Sequence, residues 1–242
     1  MKPLKIEFCG EWYTTLPGSD FSIGRESDLT IDDNPYLHRT FLRLYQEFGM
    51  WWLANVGNLL AATVSDSTGT VQAWLAPGAK LPIVFQKMHV MFSAGSTTYD
   101  FTIHAEEDYF NTSVSASSSG GTTTILPVTL TTSQRLMVVA LAEKVLTQSV
   151  PGRGSIPTSA DAAARLGWSM TTFNRKLDNV CDKLDKIGVV GLRGGRGKLA
   201  TNRRARLVEY AIAIHLISVD DVVLLDNAST ESVASESAGL EG

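Results

Sequence analysis

Between residues 169 and 206 the chain carries side chains suited to contacting nucleic acid. Threonine, asparagine, arginine and lysine hydrogen-bond base edges and phosphate oxygens. Thr171, Thr172, Asn174, Arg175, Lys176 and Asn179 follow one another closely, Arg193, Arg196 and Lys198 lie in a glycine-rich stretch beyond them, and Arg203, Arg204 and Arg206 come next. Each phosphate neutralised by such cations makes affinity fall with salt. Asp178 and Asp182 interrupt the run and would repel phosphate. The competing reading is a small helical domain with an ordinary solvated surface.

The elements that must carry these residues follow from periodicity. The pattern predicts a first helix over 133–147, and Thr158 to Asp161 has the form of a capping box that opens a short helix ending near Leu166-Gly167. Ser169 then caps a longer helix. Its apolar residues Phe173, Leu177, Val180, Cys181, Leu184 and Ile187 keep to one narrow face, so the polar residues named above point away from it. The stretch 189–199 fits a β-hairpin with a basic, glycine-rich tip, and a last helix is expected over 202–217 with Leu207, Tyr210, Ala211 and Ile214 inside. Two helices joined by a tight glycine turn and followed by a hairpin resemble the winged helix-turn-helix of bacterial transcription regulators. That resemblance implies an α/β DNA-binding domain over 127–226, whose second helix enters the major groove.

Charge supports this division. The 242-residue chain has a formal net charge of −4, which taken whole argues against a nucleic-acid partner. Residues 131–210, however, hold 14 Lys+Arg against 6 Asp+Glu, residues 1–130 hold 7 against 13, and residues 211–242 hold none against 6. A basic segment thus lies between two acidic ones. Residues 109–126, rich in Ser, Thr and Gly, read as a flexible linker that lets its two flanking domains reorient, and 227–242 as a disordered acidic tail. The 44% hydrophobic fraction is that of a chain with a packed core, no apolar run is long enough to span a membrane, and two cysteines make no disulfide framework. A cytoplasmic protein is expected.

Residues 1–108 read as short strands separated by Pro, Gly, Asn and Ser turns, the pattern of an all-β sandwich. Here Phe21-Ser-Ile-Gly24-Arg25 followed by Asp28-Leu-Thr-Ile31-Asp-Asp resembles the opening of a forkhead-associated (FHA) domain. The resemblance covers residues 3–104 and implies a sandwich of about eleven strands that binds phosphothreonine peptides through the loops at one end. It places Arg25 at the arginine after the family glycine, and Arg39 at the basic residue that contacts the phosphopeptide. His38 stands where the family has a phosphate-binding serine, and Phe41 where it has a structural histidine. Asn58 is the counterpart of the asparagine that clamps the peptide backbone. A phosphothreonine dianion prefers charge-assisted donors, which Arg25, His38 and Arg39 can supply and Phe41 cannot.

No nucleophile–base pair, metal-ligand spacing or P-loop order is present, so an enzyme, a metal site and a cofactor are not expected. The combined expectation is a non-enzymatic transcription regulator. Its sandwich would receive a protein partner, threonine-phosphorylated in the fuller version, and its winged helix would bind DNA. The alternative is an adaptor whose helical domain binds protein. The linker threonines Thr122, Thr123 and Thr124, placed before Ile125 and Leu126, would suit phosphorylation and self-docking.

Overall fold

The computed structural model describes residues 2–106, 128–147, 152–193 and 202–226. Its N-terminal part is a β-sandwich. One sheet runs β2 (Glu11–Thr15), β1 (Leu4–Phe8), β11 (Thr97–Ala105), β10 (Lys87–Ala94), β7 (Ala62–Asp66), β8 (Gln72–Leu75). The other runs β4 (Leu29–Thr30), β3 (Phe21–Gly24), β5 (Leu42–Glu47), β6 (Met50–Asn55), β9 (Lys80–Pro82). Alternation explains the core: in β10, Met88, Val90 and Phe92 face inward, while His89 and Met91 on the other face are only half-buried. The inward sets of both sheets, with Phe41, Trp51 and Tyr99, form one apolar cluster. The strand Glu11–Thr15 has no counterpart in the sequence reading. It is an edge strand with a mostly exposed, polar pattern, so alternation gives no signal there.

The C-terminal part is helical: α1 (Thr132–Leu146), α2 (Ser159–Arg165), α3 (Met170–Lys186) and α4 (Arg203–Ala213), with a 3-10 turn at Val219–Val222. Side chains close the helix starts as the sequence suggests. Thr158 and Asp161 form a capping box, and the Ser169 hydroxyl accepts the Thr172 N–H. Thr131 and Gln134 form a further capping box on α1. Of the expected hairpin, the described part Val189–Arg193 is a turn with Val189 and Leu192 buried; 194–201, with Arg196 and Lys198, lies outside the described residues, as do the linker 109–126 with its threonines and the tail 227–242. Among the described residues no helix is long and apolar enough to cross a membrane.

The two parts are joined, which corrects the expectation that they reorient freely. Strand β12 (Arg153–Ser155), between α1 and α2, adds to the sandwich: Tyr99, Thr98 and Thr97 of β11 pair with Arg153, Gly154 and Ser155. It takes the part of the β11 edge that β1 leaves uncovered, since β1 pairs only with Thr102 to Ala105. Gly152 (φ 118°) leads into it, and a Cβ there would stand 2.7 Å from the Cys9 sulfur, so only glycine fits. Helix α4 then lies across β7 and β10. Its Leu207, Val208 and Ala211 pack into the helical core, while Arg206 and Glu209 are buried against the sheet. A helix buried nearly all round belongs between two layers.

Candidate functional site

Three loops at one end of the sandwich bring Arg25, His38, Arg39 and Asn58 together. The Arg25 and Glu26 N–H groups donate to the carbonyls of His38 and Arg39, both at 2.9 Å, zipping the β3–β4 loop onto the β4–β5 loop. Gly24 permits that approach. A Cβ on it would sit 2.9 Å from the His38 oxygen, 2.8 Å from the Arg39 carbonyl carbon and closer still to its oxygen. The Ser27 hydroxyl donates to the Arg39 carbonyl at 2.8 Å, and Asp28 accepts both the N–H and the hydroxyl of Ser22. Those bonds hold the Asp28 carboxyl below the usual carboxylate range.

The two arginines share one counter-ion. Arg25 lies 3.7 Å and Arg39 3.4 Å from the same Glu26 oxygen, with the Arg39 side chain 75% exposed and Arg25 25% exposed. His38 is used differently. Its Nε2 lies 2.7 Å from the Asn58 side-chain oxygen and 3.2 Å from the Asn58 N–H. Its Nδ1 is buried with no hydrogen-bond partner, beneath Gly57, where a Cβ would come within 3.1 Å of that nitrogen. The ring stacks on Phe41 at 5.9 Å, and Phe41, fully buried, packs on to Phe92 at 4.8 Å. Phe41 thus supports the His38 ring from the core. Both ring nitrogens face protein, and the imidazole positions Asn58.

The bracing residues escaped the sequence reading. Asn55 is buried and pins the β6–β7 loop, donating to the Leu60 and Leu75 carbonyls and accepting the Gly57 N–H at 3.0 Å. Asp32 accepts the Tyr99 hydroxyl at 2.6 Å and meets Arg153 of β12 at 3.1 Å. Asn34 donates to the Ala94 carbonyl and the Tyr99 oxygen. The β4–β5 loop is therefore tied to the strand that links the two parts. Glu26 and Ser27, next to Gly24-Arg25, could have been found from position; Arg153 meets Asp32 across 121 residues and carries no local signal.

Most of the cations among the described residues of the helical part are engaged. Arg193 pairs with Asp182 and Asp185, and Arg203 with Asp178 at 2.5 Å. Arg204 donates to the Pro157 carbonyl, and Lys176 to the Ser133 hydroxyl while lying 5.2 Å over the Trp168 ring. Asp178 and Asp182 are thus partners for arginines. Thr171, Arg175 and Asn179 are exposed on α3, with Thr172 and Asn174 half-buried. Arg206, expected as a phosphate contact, is only 7% exposed and donates to the Thr63 hydroxyl on β7 at 2.6 Å. Helical periodicity does place it away from Leu207, but that side is covered by the sheet. Cys181 is core, and burial pushes its thiol up to about 11.

No family model matches this chain, and neither does any curated protein. Among solved structures it is similar to Rv1747 FHA-1 of Mycobacterium tuberculosis, with 18% identity over 43% of this chain and 97% of that one, at a TM-score of 0.33. It is also similar to the FHA domain of an Arabidopsis thaliana hypothetical protein, with 17% identity over 43% of this chain and 83% of that one, at a TM-score of 0.31.

Proposed function

We propose that the chain is a non-enzymatic adaptor whose β-sandwich binds a threonine-phosphorylated protein at the Arg25, Arg39 and Asn58 end. One observation carries this reading. Two guanidinium groups from different loops converge on a single carboxylate, in a backbone arrangement that tolerates only Gly24. Two arginines aimed at one point form a dianion site, since planar guanidinium donors bind phosphate oxygens in pairs. Glu26 occupies the place a phosphate would take. His38 holds Asn58 in position for the peptide backbone.

Titration of the full chain with matched phosphorylated and unphosphorylated threonine peptide libraries tests the assignment. A clear preference for the phosphorylated set is expected, and equal affinity for both rejects it. Replacing Glu26 by Gln removes the competing charge. The variant is expected to bind phosphopeptide about two- to fivefold tighter, the range of a partly exposed charge interaction. Weaker binding by Glu26→Gln would mean that Glu26 orders the arginines instead of competing for them.

A second reading, DNA binding by the helical part, is favoured by the exposure of Thr171, Arg175 and Asn179 on one helix face. The ion pairs on Arg193 and Arg203 oppose it, because each must open to release a cation for phosphate. Affinity for duplex DNA that falls steeply with salt would support it, and no retardation at low salt would remove it.

A further inference from the structure

Where α4 crosses the sandwich a cavity of about 180 Å3 remains. Its sandwich side is made by the apolar Leu59, Leu60, Ala61 and Trp74 with the polar Ser93 of β10; Asn202 and, on α4, Arg206 and Glu209 line the other side. Arg206 is mostly buried, and its guanidinium opens on to this cavity. Its Nε donates to the Val190 carbonyl at 2.9 Å and its Nη1 to the Thr63 hydroxyl at 2.6 Å. The nearest Glu209 oxygen is 4.0 Å from Nη1, beyond hydrogen-bond range. Nη2 has no acceptor among the described residues. The guanidinium faces the rings of Trp74 and Tyr210, each 5.9 Å away.

A guanidinium carries five donors, and the part of Arg206 that lines the cavity is open to a ligand. The group that fits its fork best is a planar carboxylate. The adjoining wall of leucines and tryptophan adds a demand for an apolar body. The space is of the right size, since a cavity of about 150 Å3 lined by apolar residues accepts a benzene ring.

We propose that this cleft binds a small amphipathic carboxylic acid, the size of benzoate or a six-carbon acid, with its carboxylate on Arg206 Nη2 and its tail against Leu59, Leu60 and Trp74. Its walls come from both parts of the chain, so the acid binds only the docked arrangement and stabilises it. Glu209 sets the pH response. Arg206 is the charged group acting on it, Thr63 of β7 and Ser93 of β10 present hydroxyls, and burial pushes its carboxyl up to about 7. Two carboxylates cannot comfortably share one arginine. The acid therefore enters with Glu209 protonated and binds more tightly below neutral pH.

The probes are benzoate and hexanoate, with benzyl alcohol and hexanol as neutral counterparts, titrated into the full chain. The readouts are the Trp74 indole N–H resonance, assigned with Trp74→Phe, and the melting temperature. A saturable shift with the acids and a raised melting temperature are expected, with binding about tenfold tighter at pH 6 than at pH 8. Glu209→Gln should bind with little pH dependence. Trp74→Ala, at a partly exposed site on β8, should weaken the acids at least tenfold while α4 stays docked. Alcohols that bind as well as the acids, binding unaffected by Trp74→Ala, or no saturable shift would each overturn the proposal. None of these readouts depends on phosphopeptide recognition, so the two assignments fail separately.

Discussion

At pH 8, where Glu209 is mostly ionised, replacing Arg206 by methionine is expected to destabilise the docked protein by about 3–5 kcal/mol, the usual cost of removing one partner from a buried charge pair. Arg206 and Glu209 are 7% and 5% exposed, and both reach Thr63. Without the guanidinium, the Glu209 carboxylate would be left buried beside hydroxyls only. The double variant Arg206→Met/Glu209→Met should recover most of the loss, because two apolar side chains of similar volume leave no charge in the interface. Denaturant unfolding of the three proteins checks this. A double variant no more stable than the single one would show that shape at this site matters more than charge.

The same pair gives the interface a defined pH dependence. Burial raises the Glu209 carboxyl from 4.5 to about 7, so the folded protein holds this proton more tightly than the unfolded chain does. Its stabilising effect is full below about pH 4.5 and is lost as pH rises towards 7. His89 pulls the other way, since burial and the neighbouring Lys87, His104 and His215 lower its pKa. Stability from that source rises with pH up to its unfolded value of 6.5. The difference between wild type and Glu209→Gln isolates the carboxyl: relative to the variant, wild type should lose stability steadily between pH 4.5 and pH 7. A flat difference would place Glu209 in a wetter setting than the interface provides.

Gly24→Ala should disrupt the loop end that carries Arg25 and Arg39, the proposed phosphopeptide site, while sparing the rest of the sandwich. The added methyl meets backbone, not a movable side-chain tip: the His38 oxygen at 2.9 Å and the Arg39 carbonyl group. The two loops must separate, and the bonds from Arg25 and Glu26 to those carbonyls break. Phosphopeptide affinity should fall more than tenfold, the equivalent of about 1.4 kcal/mol or more. Hydrogen exchange at the Arg25 and Glu26 amides should speed up, with Leu53 and Val90 in the core unchanged. Unaltered exchange at the loop amides would contradict the account of Gly24.

Much of this architecture is legible before folding. The inward-facing residues of β10 and β6 repeat every second position, so those strands declare themselves. Thr158, Asp161 and Ser169 mark helix starts because their side chains satisfy amide groups only a turn away. Gly24-Arg25 and His38-Arg39 could be picked out because the run from Phe21 to Asp33 resembles the opening of an FHA domain. What could not be read is what those elements meet. Thr63, Ser65 and Ser93 alternate with core residues and so belong on the solvent side of the sheet, yet all are buried. Arg206 and Glu209 look like a solvated helix face for the same reason. The FHA-like register also made His38 a phosphate donor, whereas its nitrogens turn towards Asn58 and the interior.

By itself, then, the sequence determined the local elements and the division into an acidic β part and a basic helical part. Such features depend on residues a few positions apart, whose geometry the backbone imposes. The tertiary structure decided that the parts dock, that β12 completes the β11 edge, and that Arg193 and Arg203 are paired with carboxylates. Those outcomes depend on residues far apart in the chain, such as Asp32 and Arg153 or Thr63 and Arg206. A charge has the same one-letter code on an open face as under a sheet, and only the packing of one layer on another settles which it is.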